Sequence, residues 1–100
     1  MKTGLITPCP NNGEDLYAQK RHIDSEYAEV CEAWDEWQHD PDNKKKLAHV
    51  VEELIDLATS CMTGAGDFEK KSGIPALVDN TLLMVGAKNY IRGYHDKPMI

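Results

Sequence analysis

Hydrophobic positions along this chain recur at helical spacing in three blocks, separated by short runs of Pro, Gly, Asp and Asn. From Glu14 to about Gln38 there is no Pro or Gly, and Leu16, Ile23, Tyr27, Val30, Cys31, Trp34 and Trp37 recur at helical spacing. Asp24-Ser25 is a possible interruption, so the pattern leaves open whether this block is one helix or two. His39-Asp40-Pro41-Asp42-Asn43 stops it, because Pro41 pushes Asp40 away from helical angles. In the second block Asp42 or Asn43 is placed to cap, and Leu47, Val50, Val51, Leu54, Ile55, Ala58, Cys61 and Met62 form a wide apolar stripe. A stripe of that width suits a helix covered on more than one side. Gly64-Ala65-Gly66 predicts its end. Asp67 to Gly73 then reads as a short piece in which Phe68 closes one end of the core. Pro75 marks the start of a last helix, whose Ala76, Leu77, Val78, Leu82, Leu83, Val85, Ala87, Tyr90 and Ile91 lead to Gly93. No stretch alternates cleanly enough for a strand. The expected fold is all-α, three or four helices in a bundle, with residues 1–13 as an N-terminal arm and 14–100 as a single domain.

One hundred residues make one domain with a modest core. The net charge of -6 sharpens the picture because it is concentrated: residues 24 to 56 hold eleven acids against Lys44, Lys45 and Lys46, whereas four acids and five bases follow from 57 onward. An acidic middle argues against duplex nucleic acid as the partner, since phosphate binding needs clustered Lys and Arg. It suits a site that gathers cations first and anions through them. Cys9, Cys31 and Cys61 have no metal-ligand spacing. With no apolar leader and no run of membrane-spanning length, they predict a reducing, cytosolic setting and no membrane partner. Cys31 and Cys61 fall on apolar faces, where buried core positions are expected.

The acids themselves are patterned. Glu26 and Glu29 in the first block, and Glu53 and Asp56 in the second, are each spaced i, i+3, about 60° apart on one helix face. The second pair lies within His49-Val50-Val51-Glu52-Glu53-Leu54-Ile55-Asp56-Leu57-Ala58, an apolar helix with acids set into it. Two carboxylate pairs on neighbouring helices point to a hard divalent cation, because Mg²⁺ takes oxygen ligands and sits between carboxylates and phosphates. The plainer alternative is a set of solvated helix acids. Glu32 shares its face with Asp35 and Glu36, and Glu52 lies about 100° round the helix from Glu53, so both are expected to be solvated. A redox-metal bundle would want Glu-x-x-His pairs, which neither Glu26 nor Glu53 begins.

The ordered set of Glu26-x-x-Glu29, then Glu53-x-x-Asp56 within Glu-Glu-Leu-Ile-Asp, then Lys88-x-x-x-Arg92 on the last helix resembles the MazG-like nucleotide pyrophosphohydrolases. These belong to the all-α NTP pyrophosphatase group, with the dimeric dUTPases as relatives. The resemblance runs from about Gln19 to Gly93. It implies Mg²⁺-dependent hydrolysis of a nucleoside triphosphate between its α and β phosphates, giving the monophosphate and pyrophosphate. It also implies that Glu26, Glu29, Glu53 and Asp56 are the metal-holding and catalytic residues, acting through a metal-bound water. The physics is consistent: metal ions reverse the sign of an acidic site, bridge phosphate oxygens and lower the pKa of water. The family is usually dimeric or tetrameric, which implies a homodimer or homotetramer that completes the bundle. The alternative within the same fold is a non-catalytic protein that binds nucleotide or a protein partner.

Lys88 and Arg92 are candidates to hold phosphate, or merely complement the negative end of their helix. Asn89, Tyr90 and Tyr94 are placed beside them. Trp34 and Trp37 are candidates for stacking on a nucleobase, with core or subunit interface as the plainer reading. His49, one turn before Glu53, is a candidate partner for that carboxylate.

Overall fold

The computed structural model describes residues 16–93. The N-terminal arm, Cys9 and Tyr94 lie outside the described residues. Three helices account for nearly all of what is described, with no strand among them: α1 (Leu16–Gln38), α2 (Lys44–Ser72) and α3 (Leu77–Ile91).

The first helix is single. Asp24 does not break it, and its carboxylate pairs at 2.8 Å with Lys20 one turn earlier, a minor i, i+4 support. The stop comes at Asp40-Pro41 as the sequence predicts. The backbone turns over the five residues 39–43, and Asn43 caps α2 by accepting hydrogen bonds from the N–H groups of Lys45 (3.0 Å) and Lys46 (3.3 Å). The cap is itself held, since Asn43 Nδ2 donates to Asp40 Oδ2 at 3.1 Å.

The second helix corrects the sequence reading. It does not end at Gly64-Ala65-Gly66 but runs on through Phe68 to Ser72, twenty-nine residues in all. Its end is Gly73, in the left-handed region at φ 69° and ψ 9°, whose N–H donates to Glu69 O at 3.1 Å. Gly73 has the backbone conformation that a helix-ending glycine supplies; Gly64 does not. Gly64 instead lies against α1: a Cβ there would stand 3.3 Å from Ile23 Cδ1 and 3.6 Å from Gln19 Cγ. A glycine inside a helix costs roughly 1 kcal/mol relative to Ala, and packing against α1 carries the helix through it.

Helices α1 and α2 pair as an antiparallel hairpin. Val30, Ala33 and Val50 form its buried apolar centre. Towards the open end the seam is built from small and polar residues, with Ser60, Thr63, Gly64 and Asp67 buried. Gln19 Nε2 crosses it to donate to Ser60 O at 2.9 Å, and the Thr63 hydroxyl donates back to Thr59 O. An open apolar groove of about 600 Å³ lies at this end, bordered by Leu16, Ile23, Gly64 and Phe68.

The third helix starts two residues after Pro75. Ala76 before it is left-handed, at φ 57°, and supplies no side-chain cap. One of its unpaired N–H groups, that of Val78, is met by Glu69 Oε1 from α2 at 3.0 Å, as the first turn of a helix requires. α3 touches α2 but not α1, and none of its residues is buried. Leu82, Leu83, Met84, Val85, Tyr90 and Ile91 are exposed, as are Leu47, Val51, Leu54 and Ile55 along α2. The helices are therefore those of an all-α protein, but one chain does not close them into a bundle. Two expectations about the core fail with this. Phe68 does not close a core end and is 61 % exposed; Cys31 and Cys61 are exposed rather than buried. No described helix is long and apolar enough to cross a membrane.

Candidate metal centre

The antiparallel hairpin brings the two acidic motifs together. Glu26 projects from α1, and Glu53 and Asp56 from α2. Each offers one carboxylate oxygen to a group whose members all lie within 4.8 Å of one another. Opposite ligands of a hard cation stand about 4.2 Å apart around Mg²⁺ and about 5 Å around Ca²⁺, so oxygens spread over 4.8 Å match the span of a Ca²⁺-sized ion and must draw in by some tenths of an ångström for Mg²⁺. The seam decides the meeting. Val30 and Val50 bury against each other's helices on one side of the carboxylates, and Gln19 and Ser60 join them on the other.

Burial differs sharply among the acids. Glu53 is only 8 % exposed as a residue, Glu26 is partly buried, and Asp56 and Glu29 face solvent. One oxygen of each buried glutamate, Oε2 of Glu26 and Oε2 of Glu53, has neither solvent nor a hydrogen-bond partner. An unpaired buried carboxylate oxygen is costly, and a bound cation is one way of meeting it. Both groups show the strain in their protonation. Burial, followed by the negative charge of Glu29, raises the pKa of Glu26 above its ordinary 4.5. Burial, then a hydrogen bond with Glu29 and its charge, raises that of Glu53 from the same ordinary value. Asp56 pushes in the same direction in both cases. Glu29 thus belongs to the electrostatics of the cluster, although its oxygens are outside the three that converge. Glu52 is solvated as its helix angle predicts, with a side chain 70 % exposed.

A histidine stands beside each buried glutamate. His49 Nε2 lies 3.8 Å from Glu53 Oε1. His22 Nε2 lies 3.5 Å from Glu26 Oε1. Sequence reasoning singled out His49 and passed over His22, yet the signal was there: each histidine precedes its glutamate by four residues.

The remaining candidates are not gathered into the same place. Lys88 and Asn89 lie on α3 and Arg92 caps its end. That helix leaves α1 untouched and is tied to α2 at Glu69, thirteen residues and about 20 Å along the axis from Asp56. Neither Lys88 nor Arg92 figures among the charges acting on Glu26 or Glu53. Trp34 and Trp37 pack on each other edge to face, centroids 6.3 Å apart at 84°, a geometry typical of aromatic pairs in cores and interfaces. Trp37 Nε1 is buried without a partner.

Comparison with protein-family models, with curated proteins and with solved structures finds no match to this chain.

Proposed function

We propose that the chain is a divalent-cation-dependent nucleoside triphosphate pyrophosphohydrolase of MazG-like type, using Mg²⁺, and that it works as a homo-oligomer. The observation that carries this reading is the convergence of Glu26, Glu53 and Asp56 with two buried carboxylate oxygens left unpartnered. That is the donor set of a hard cation. The resemblance of the ordered acidic motifs supplies the reaction class.

In this reading Glu26, Glu53 and Asp56 hold the metal, and Glu29, exposed beside them, is free to ligate or to take a proton from the attacking water. A bound Mg²⁺ supplies charge neutralisation on the phosphates and a lowered pKa for water. The chain's own residues do the rest. The carboxylates fix where the ion, and through it the phosphate oxygens, would sit. Lys88 and Arg92 bind phosphate only if an α3 is brought over the cluster, which self-association would do. The exposed apolar residues of α2 and α3 favour such an assembly, because contiguous apolar surface of this kind marks an interaction site.

Pyrophosphate release from a panel of ribo- and deoxyribonucleoside triphosphates, with and without Mg²⁺, tests the reading, with wild type beside Glu53→Gln. Mg²⁺-dependent release that the substitution abolishes is the expected result. If folded wild-type protein releases nothing from any triphosphate, the catalytic assignment fails, and the non-catalytic binding protein becomes the better account. The position of Lys88 and Arg92 away from the carboxylates within one chain is the observation that favours that second reading.

A further inference from the structure

The two buried glutamates are divided in the same way. In each, Oε1 faces a histidine Nε2 on its own helix, at 3.5 Å for Glu26 and 3.8 Å for Glu53. In each, Oε2 is buried and accepts no hydrogen bond, with the Glu29 carboxylate the nearby group that presses on both. The division follows from the chain. A residue four positions earlier lies one helical turn back on the same face, so the repeated His-x-x-x-Glu places an imidazole over one oxygen only. Because α1 and α2 run antiparallel, the two histidines approach the cluster from opposite ends. His22 and His49 are about half exposed, whereas the side chains they face are 17 % and 11 % exposed. The rings therefore sit at the rim and the carboxylates reach inward. The other nitrogen of His49 stands 4.0 Å from Glu52 Oε2, a second carboxylate that competes with Glu53 for the proton of a neutral ring. An exposed i, i+4 pair of this kind adds little to stability. Its consequence is in where the second oxygen points.

We propose that His22 and His49 are positioning residues of the cation site: each Nε2–H holds Oε1 of the glutamate one turn on, and so presents Oε2 of Glu26 and of Glu53 to a divalent ion. The inference rests on the cation-binding reading above and deepens it. Both separations are longer than a formed hydrogen bond, and the positioning role requires each to close on ion binding. Groups behind metal ligands typically contribute about 10- to 100-fold in affinity. The histidines are the groups that stand in that position here.

The test uses the full chain and Mn²⁺, read by calorimetry and by the electron paramagnetic resonance of the free ion. His22→Leu and His49→Leu keep bulk and remove the donor; His22→Gln and His49→Gln return an N–H near the place of Nε2. Each Leu variant should bind Mn²⁺ about 10-fold more weakly or worse. Each Gln variant should recover most of the loss, while metal-free melting temperatures stay together across the set. Imidazole ¹⁵N shifts of the metal-free protein near pH 8 should show both rings carrying the proton on Nε2. Leu variants that bind within twofold of wild type, or rings protonated only on Nδ1, overturn the positioning role and leave the cation site standing. Folded wild-type protein that binds no Mn²⁺ at millimolar concentration overturns the cation site, and the positioning role with it.

Discussion

Gly64 controls how closely α1 and α2 approach, and through that the spacing of the carboxylates they share. The contrast between Gly64→Ala and Gly64→Leu tests this. In the alanine variant the new Cβ meets Ile23 Cδ1 at 3.3 Å and Gln19 Cγ at 3.6 Å. Ile23 Cδ1 is the end of a flexible side chain and can give by a few tenths of an ångström. Relief of the glycine helix penalty, about 1 kcal/mol, outweighs that adjustment. The expected result is a gain of about 0.5 kcal/mol, or roughly 2–4 °C in melting temperature for a domain of this size. Leucine cannot be accommodated by so small a shift. It must displace Ile23 and Gln19 together, which removes the Gln19 to Ser60 hydrogen bond, about 1 kcal/mol. Overpacking adds about 1–3 kcal/mol, against about 1 kcal/mol of helix propensity regained. The net loss should be about 1–3 kcal/mol. Because Gly64 is only eight residues, about 12 Å, from Asp56 along α2, the wedge should also spread Glu26 from Glu53 and weaken Mn²⁺ binding. The assay is urea unfolding at one fixed protein concentration, since self-association shifts apparent stability, followed by Mn²⁺ titration. Gly64→Leu as stable as Gly64→Ala would show that the helices are not in contact there, and the account of why α2 continues through its glycines would be wrong.

Three further outcomes follow from the site and the surface. The raised pKa values of Glu26 and Glu53 mean that the folded state binds more protons than the unfolded one above the ordinary 4.5. Metal-free stability should therefore fall as pH rises from about that value through the raised ones. Melting temperatures on either side of the window check this, and saturating Mn²⁺ should reverse the trend because it binds the ionised acids. Glu53→Gln should leave circular dichroism unchanged, abolish Mg²⁺-dependent pyrophosphate release and blunt this pH dependence; full activity in that variant would remove Glu53 from the site. Leu83, 74 % exposed, and Ile91, 83 % exposed, should be tolerated as Lys in a monomer but not in the proposed oligomer. Sedimentation of Leu83→Lys with Ile91→Lys should show a smaller species than wild type, and an identical species would place the interface elsewhere.

The places where sequence and structure part have a common cause. Gly64-Ala65-Gly66 reads as a stop because glycine weakens helices locally, but Ile23 and Gln19 come from forty residues away to close over it. The stop at Gly73 carries the same residue type, and only its left-handed backbone tells the two apart. Cys31, Cys61 and Phe68 lie on faces whose period suggests burial, yet period reports which residues share a face and not whether anything covers it. In α3 the apolar residues are so evenly spread that no single face is marked, and in one chain none is buried. His22 was legible in principle, since the four-residue spacing to Glu26 repeats that of His49 to Glu53.

By itself the sequence determined what local chemistry can determine. Three helical blocks follow from apolar period, the break at Asp40-Pro41 from proline sterics, the cap at Asn43 from its side chain, and the pairing of Glu26 with Glu29 and Glu53 with Asp56 from the helix repeat. The tertiary structure decided which of those acids meet. Glu26 joins Glu53 and Asp56 because the hairpin register sets them at one level of the seam. Glu29 stays at the edge, and Lys88 and Arg92 remain on a helix that does not reach the cluster. Burial makes the same distinction between Glu52 and Glu53, neighbours of one type. One keeps its charge in water, and the other has an oxygen sealed and without a hydrogen bond, which a proton or a cation would relieve.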